Sequence, residues 1–386
     1  MNQGSTTMEK NRFFPEINGN FGFGCMRLPM KDGEVDYDEL SSMVDIFIDS
    51  GFNYFDTAHG YHSGLSEIAV RECLSKRHDR KEFLLANKLT EPFFKEQKDI
   101  RPFFEQQLEW CGVDYFDFYL MHAQDRNNYG KYQRCKAYET CLEMKDEGLI
   151  RHLIMSFHDN AETLDRILND HPEIEAVQIQ FNYADYEDLS VDSKRVYEVC
   201  VKHEKPVIVM EPVKGGTLIN LPKEADDILR SLNGGNNASY ALRFAASFPN
   251  ISVVLSGMSN TSQVKDNTGF MKDFKPLSQE ENDAIRKVCS ILQNMNLIPC
   301  TSCRYCIEEN RCPKNIRIPE MFSALNAYNK FHDWTGSFYF RNVLTGHGQG
   351  KASDCIGCKK CEKVCPQHIE ISELLKDVAK QFENNR

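Results

Sequence analysis

Four polar residues with complementary chemistry stand at or just after the ends of short apolar segments: Asp56, Tyr61, Lys88 and His122. A free tyrosine, with a pKa near ~10, is a poor acid at neutral pH. A neighbouring ammonium lowers that pKa, and a carboxylate holds the ammonium in place. We therefore expect Asp56 to anchor Lys88, and Lys88 to tune Tyr61 as the proton donor to a carbonyl oxygen. His122 would orient the carbonyl or share in the proton transfer. The alternative is structural: Asp56 and Lys88 form an ion pair that only supports the fold, and Tyr61 packs beside it.

The elements that must position these residues are short β-rich segments alternating with helical patterns from residue 20 to about 270. Such alternation is typical of parallel βα units. It predicts a closed (β/α)8 TIM barrel, in which chemistry gathers at the carboxyl ends of the strands. A helix is expected over 133–148. The eight strand candidates are 21–26, 52–57, 83–88, 116–122, 152–157, 176–181, 206–212 and 252–257.

Three of these segments, FDTAHGY, ANK and LMH, resemble the signatures of the second, third and fourth strands of the aldo-keto reductases. The resemblance covers about residues 20–270. It implies NADPH or NADH bound across the barrel mouth and a small aldehyde or ketone as substrate. By position, Ser156 and Gln178 would hold the nicotinamide carboxamide. The other expected cofactor-binding residues follow strands seven and eight: Glu211, Lys214, Gly257, Met258, Ser259, Gln263 and Asn267.

Three departures from that family's pattern affect the cofactor. Phe157 stands where an Asn usually follows the strand-five serine, and Met210 stands where an aromatic residue usually stacks on nicotinamide. The basic pair that grips the 2′-phosphate of NADP aligns with Gly257 and Gln263, which are uncharged. Because a phosphate without Arg or Lys loses its strongest partners, NADPH and NADH both remain open.

Eight of the fifteen cysteines lie after residue 299 in two close groups. The second group reads C-x2-C-x2-C-x3-C-P, the cluster run of bacterial ferredoxins, and the first has two extra residues before its last cysteine. In two-cluster ferredoxins the fourth cysteine of a run serves the other cluster. The pattern predicts two 4Fe–4S clusters, one on Cys300, Cys303, Cys306 and Cys365 and the other on Cys355, Cys358, Cys361 and Cys312. Four-thiolate zinc sites are the alternative.

The distribution of charge separates two parts of the chain. Residues 300–386 carry 13 Lys and Arg against 10 Asp and Glu, whereas residues 1–299 carry 33 against 47. Basic residues such as Arg304, Lys314, Lys359 and Lys360 would offset anionic clusters. We expect a barrel domain over 1–295 and a small, mainly helical ferredoxin-like domain over 296–386.

Several function classes are disfavoured. The net charge of −11 and the lack of a long basic run argue against a nucleic-acid partner. The sequence contains no run of about 18 apolar residues, so no membrane helix is predicted. The first residues lack a charged segment followed by an apolar core, so we expect a cytoplasmic protein.

Three functions stay open. The first is an NAD(P)H-dependent oxidoreductase that interconverts a carbonyl and an alcohol, with clusters that serve structure or electron exchange. The second is an electron-transfer protein that links a nicotinamide to a ferredoxin-type partner. A non-catalytic binding module is the third, and the complete quartet argues against it. A hydride carries two electrons and a cluster accepts one, yet the sequence shows no flavin motif.

Overall fold

The structure, a computed structural model, describes residues 10–187, 191, 193–294, 297–308, 312–331, 340–345 and 348–383. Spatial clustering divides the chain into two compact units. The first contains residues 1–187, 192–212 and 241–277, and the second contains 188–191, 213–240 and 278–386. Among the described residues, no helix is long and apolar enough to cross a membrane.

The first unit is built on a closed barrel of eight parallel strands, which confirms the predicted fold class. Strands β1 to β8 follow one another around the barrel in chain order, and β8 pairs with β1. They span Phe21–Gly24, Tyr54–Asp56, Leu84–Leu89, Phe116–Gln124, Ile150–Phe157, Val177–Gln180, Val207–Met210 and Ile251–Gly257. A separate hairpin joins Met30–Lys31 to Glu34–Val35.

The α-helices of the described residues, numbered α1 to α15 in chain order, account for most of the remaining regular structure there. They span Tyr37–Asp49, Leu65–Val70, Gln97–Cys111, Tyr129–Arg134, Ala137–Asp146, Ala161–Asp170, Ser193–Lys202, Lys223–Arg230, Asn237–Ala246, Thr261–Lys272, Gln279–Asn294, Tyr305–Glu308, Ile318–Phe331, Lys360–Lys363 and Ile371–Phe382. The single helix predicted over 133–148 is wrong at its start. Lys136 adopts a left-handed conformation (φ 50°), which separates α4 from α5.

The barrel interior is filled by apolar side chains from alternate positions of the strands, as a packed (β/α)8 core requires. Tyr54, Leu84, Phe118, Ile154 and Ile208 belong to this buried group. The segment before β1 covers the end where the strands begin, because Phe14 and Ile17 join the same group. At the other end of the barrel, the strand register places Ser156 beside Gln178 and pairs Asp56 with Ala86, two residues before Lys88.

The second unit has its own apolar core, which includes Ile316, Met321, Phe322, Leu375 and Val378. The helices α13 and α15 supply most of these residues, so the unit is mainly helical where it is described. The cysteine-rich segments pack against this core.

Candidate functional site

The centre of the barrel site is a buried ion pair. Lys88, on β3, is fully buried and donates hydrogen bonds to Asp56 Oδ1 (2.6 Å) and to the Thr57 carbonyl (2.7 Å). The amide nitrogen of Gln178 donates to the second carboxylate oxygen of Asp56 (3.1 Å). Burial lowers the pKa of the Lys88 ammonium, and the attraction of Asp56 opposes that shift. The structure therefore unites two of the four expected catalytic residues in one hydrogen-bonded group.

Tyr61 lies over this pair on the turn that follows β2. Its side chain is buried to 9% exposure, and the Lys88 ammonium lies 5.0 Å from its ring centroid. The turn Tyr61–Gly64 contains three residues in succession with positive φ: His62 (49°), Ser63 (55°) and Gly64 (90°). A positive φ costs a non-glycine residue conformational free energy, and such strain is concentrated at functional sites.

His122, the fourth member, lies on β4 with its ring nearly perpendicular to that of Tyr61, at 6.3 Å between ring centroids. Its Nδ1 is 2.7 Å from the hydroxyl of Thr90. Burial, followed by the charge of Lys88, holds the pKa of His122 well below its usual value. The imidazole is therefore neutral at pH 7. The structure thus brings all four predicted residues together.

A second buried network supports the loop between β2 and α2. The Glu67 carboxylate is fully buried and accepts from Asn87 Nδ2 (2.8 Å) and Gln107 Nε2 (2.9 Å). His59 Nδ1 lies 2.6 Å from its other oxygen. Since Asn87 precedes Lys88 on β3, this network ties the Tyr61 loop to the strand that carries the ammonium. The sequence interpretation missed Glu67, and the only signal was its place in the first turn of α2.

Two of the expected nicotinamide-binding residues, Ser156 and Gln178, lie beside the Asp56–Lys88 pair. Ser156 Oγ accepts from the Ala123 N–H (2.7 Å), and Ser156 pairs in register with Gln178, whose amide is bonded to Asp56. Glu211 has a positive φ of 57°, and its carbonyl accepts from Asn182. Lys214, by contrast, belongs to the second compact unit.

The expected adenosine-binding residues form the connection from β8 to α10. The Ser259 N–H donates to Gln263 Oε1 (2.7 Å), and the Ser259 hydroxyl donates to the Arg27 carbonyl (2.9 Å). Asn267 Nδ2 donates to Ser256 Oγ (3.2 Å), and Met258 is buried. A Cβ added to Gly257 would lie 2.7 Å from Arg27 Cγ, so a basic side chain lies beside this connection.

One cysteine set surrounds a pocket in the second unit. The pocket has an empty volume of about 320 Å³, part of it open to solvent. It is lined by the four cysteines assigned to one cluster (Cys300, Cys303, Cys306 and Cys365) and by apolar and polar neighbours that include Ile318, Phe322, Thr301, Arg304 and Gln367. Four thiols around an apolar-walled pocket fit a thiolate-bound cluster.

The second set is less enclosed. Cys361 is buried, Cys312 and Cys355 are half-buried, and Cys358 is exposed. Burial, then the charge of Glu362, raises the pKa of the Cys361 thiol to about 11, and Cys312 contributes to the same rise. Cys312 therefore lies near the second run, as the crossed assignment expects. Among the described residues, no three Cys, His, Asp or Glu side chains are grouped as ligands of a single metal ion.

Two family models match the chain. The model of the aldo/keto reductase family matches residues 20–290, and that of a 4Fe-4S dicluster domain matches residues 299–370. The second match confirms the iron–sulfur character predicted from the cysteine spacing. It covers all eight of the cysteines after residue 299.

The relatives found by sequence align over parts of their length. The chain is 34% identical over 107 residues to the 4-dihydromethyl-trisporate dehydrogenase of Mucor mucedo, covering 26% of this chain and 30% of that enzyme. It is 27% identical over 165 residues to aldo-keto reductase family 1 member C3 of Pongo abelii, covering 38% of this chain and 49% of that enzyme. The chain thus spans less than half the length of these two relatives.

A solved aldo-keto reductase from Klebsiella pneumoniae, in complex with NADPH, shares the fold. It is 20% identical, covers 73% of this chain and 95% of its own, and superposes with a TM-score of 0.60. At that identity the likeness shows the fold alone. With the family model matched over residues 20–290, the chain belongs to the aldo/keto reductase family.

Proposed function

We propose that this protein reduces an aldehyde or ketone with NADPH or NADH, or catalyses the reverse reaction, with Tyr61 as the proton donor. The observation that carries the proposal is the fully buried Lys88–Asp56 pair beside the ring of Tyr61. A buried charge is costly unless it is paired and hydrogen-bonded, and such groups are concentrated at functional sites. This ammonium lies beside the ring of Tyr61, where a phenolate would form.

The roles of the four residues follow from their contacts. The Lys88 ammonium stabilises the negative charge that Tyr61 acquires as its proton leaves, and Asp56 keeps the ammonium charged and in place. Neutral His122 is suited to donate one hydrogen bond to the carbonyl oxygen. That role requires the Thr90 hydroxyl to donate to Nδ1, so that Nε2 carries the ring proton. When bound, the nicotinamide supplies the hydride to the carbonyl carbon.

For the cofactor we propose Ser156, Gln178, Glu211 and Lys214 around the nicotinamide half. The connection from Gly257 to Asn267 would hold the adenosine half. Support for the second placement comes from the N-terminus of the twelve-residue helix α10, since helix N-termini favour phosphate groups. Arg27, beside Gly257, is a basic group near this connection, and a 2′-phosphate would favour such a partner.

The test is carbonyl-dependent consumption of NADPH or NADH by protein purified without oxygen. A panel of small aldehydes and ketones should give one alcohol for each nicotinamide oxidised. If the cofactor binds and no carbonyl in a broad panel is reduced, and no alcohol is oxidised, the proposed reaction is wrong.

The cysteine-lined pocket favours a second candidate function, electron transfer between a nicotinamide and a one-electron carrier. We propose two 4Fe–4S clusters, held by the crossed cysteine sets, in a domain that begins near residue 296. In this function NADPH or NADH without a carbonyl should bleach the cluster absorbance, and Tyr61→Phe should leave that rate unchanged. If dithionite reduces the clusters but neither NADPH nor NADH does, this second function is contradicted.

A further inference from the structure

The loop that carries Cys355 and Cys358 is unlike the other cysteine-rich segment. Of the fifteen cysteines, all of which lie in described parts of the chain, only Cys358 is exposed. Its neighbour Ile356 is 60% exposed, more than any other large apolar side chain among the described residues that are strongly exposed. Ile356 directly follows the expected cluster ligand Cys355, so apolar surface is exposed beside that ligand.

Lysines surround this exposed position. Lys359 and Lys360 follow Cys358 directly, and Lys351 and Lys363 stand on either side of the loop; all four are exposed. Within the described parts of the chain, Lys360 and Lys363 form no ion pair. Their positive charge is therefore available to a partner.

The acidic residues of the same region are already engaged. Asp354 Oδ2 accepts from the Lys351 N–H (2.8 Å), and the Glu383 carboxylate accepts from the Ser353 N–H (3.2 Å). Glu362 accepts from the Ser372 N–H (2.9 Å) and lies 3.5 Å from Lys359. Residues 351–363 carry four lysines against Asp354 and Glu362, so lysines outnumber carboxylates around Ile356, although the whole chain has a net charge of −11.

The contrast with the first cysteine set indicates which cluster would exchange electrons with an outside partner. That set lines a pocket that is only partly open to solvent, in which Arg304 is paired with Glu308 and Glu320. The electron-tunnelling path to an outside partner is shorter from an exposed ligand than from an enclosed one. A small apolar centre within a charged rim is also typical of weak electron-transfer contacts, which bury little area and depend on charge steering.

We infer that residues 351–363 form the docking surface for an acidic one-electron carrier protein, such as a flavodoxin or ferredoxin. The cluster on Cys355, Cys358, Cys361 and Cys312 would exchange electrons with it, so the inference rests on the proposed clusters. In one event the reduced carrier loses one electron and the oxidised cluster gains it, with no bond made or broken.

The probe is an acidic flavodoxin reduced to its hydroquinone, whose semiquinone has a spectrum of its own. Anaerobic mixing with oxidised protein should form semiquinone as the clusters bleach. The rate constant should fall steeply between about 20 mM and about 300 mM salt, because screening weakens steering by exposed charges. Lys359→Glu with Lys360→Glu should slow the reaction about tenfold at low salt and weaken flavodoxin binding measured by calorimetry.

The matched control is Lys223→Glu with Lys287→Glu. It makes the same change of charge on α8 and α11, helices of the same unit that pack against each other. This variant should keep the wild-type rate within about twofold. A basic c-type cytochrome, mixed with the reduced protein, should react faster with the Lys359→Glu/Lys360→Glu variant than with the wild type.

Two results would overturn the inference, and they are distinguishable. Protein purified anaerobically without iron and sulfide would overturn the proposed clusters and the docking surface with them. Fully loaded clusters whose reduction is independent of salt, or equally slow in both variants, would overturn the docking surface alone. Carbonyl reduction with NADPH or NADH is measured separately and does not depend on either result.

Discussion

Lys88 shares its ammonium protons between Asp56 and Thr57 inside the barrel, where no part of its side chain is exposed. Lys88→Met leaves the Asp56 charge buried without its partner, and such losses cost about 3–5 kcal/mol. We expect that decrease in the free energy of unfolding, measured in urea, together with a loss of carbonyl reduction of about two to four orders of magnitude.

A double variant separates stability from catalysis. Asp56→Asn with Lys88→Met removes both charges, so it should recover most of the lost free energy of unfolding while carbonyl reduction stays low. Recovery of turnover in the double variant would show that the pair serves only structure.

The buried imidazole of His122 gives a pH dependence with a definite sign. Its pKa in the folded protein lies well below the usual 6.5, chiefly because of burial, so the unfolded chain binds more protons as the pH falls below 6.5. Stability should therefore decrease from pH 6.5 downward, by up to about 1.4 kcal/mol per pH unit from this residue. His122→Asn should flatten the curve of unfolding free energy against pH in that window.

His152 provides a control of the opposite sign. Although burial opposes it, hydrogen bonds with Glu175 and Glu16 raise the pKa of His152. The contribution of His152 to the free energy of unfolding is complete below pH 6.5 and is lost as the pH rises through its raised pKa. His152→Gln should therefore reduce stability at low pH, and a change in the same direction for both variants would contradict the assigned shifts.

The four central residues were predictable because each lies near or just after the end of a recognisable strand and carries an ionisable group. Glu67 and Thr90 were not, although Glu67 supports the Tyr61 loop and Thr90 contacts His122. Their roles depend on which side chains meet after folding, and a lone Glu in a helix or a lone Thr after a strand has no distinctive spacing. The functions of the cofactor-binding residues remain predictions for the same reason.

Among the elements, the turn Tyr61–Gly64 has the largest effect on the site. Gly64 has a φ of 90°, and an added Cβ would lie 3.3 Å from the His59 ring, so Gly64→Ala must shift the turn. We expect a loss of about 1–3 kcal/mol in stability and a marked fall in kcat as Tyr61 moves.

Gly33→Ala is the matched control for that turn. Gly33 has a φ of 88° in the hairpin between Met30–Lys31 and Glu34–Val35, and an added Cβ would meet nothing within 4 Å. It should lose stability through the same backbone strain and keep its kcat. Equal kcat values for the two variants would mean that the turn does not position Tyr61.

The strands were easier to predict than the helices. All eight strands begin and end within two residues of the expected segments, because a buried parallel strand is a short apolar run with polar ends. The break between α4 and α5 was missed, since Lys136 in a left-handed conformation carries no signal of the kind that Gly or Pro provides.

At the scale of the whole molecule, the crossed cysteine assignment links the two runs. Loaded protein should contain about eight iron and eight sulfide per chain, and Cys358→Ala should remove about half of each. Cys365→Ala should disturb the cluster of the first run and spare that of the second, and Cys312→Ala should do the reverse. Electron paramagnetic resonance of the reduced variants would distinguish the two signals. Loss of the second run's cluster in Cys365→Ala, or of the first run's cluster in Cys312→Ala, would contradict the crossed assignment. Zinc without sulfide would contradict the clusters themselves.

The proposed proton donation is tested most directly by Tyr61→Phe compared with Tyr54→Phe. Each variant removes one tyrosine hydroxyl from the barrel, and the described structure gives the Tyr54 hydroxyl no hydrogen-bond partner. Steady-state kcat/KM for carbonyl reduction should fall by about two to four orders of magnitude in Tyr61→Phe, with nicotinamide binding nearly unchanged. Tyr54→Phe should retain the wild-type value. Wild-type turnover in Tyr61→Phe, or an equal loss in both variants, would contradict the account.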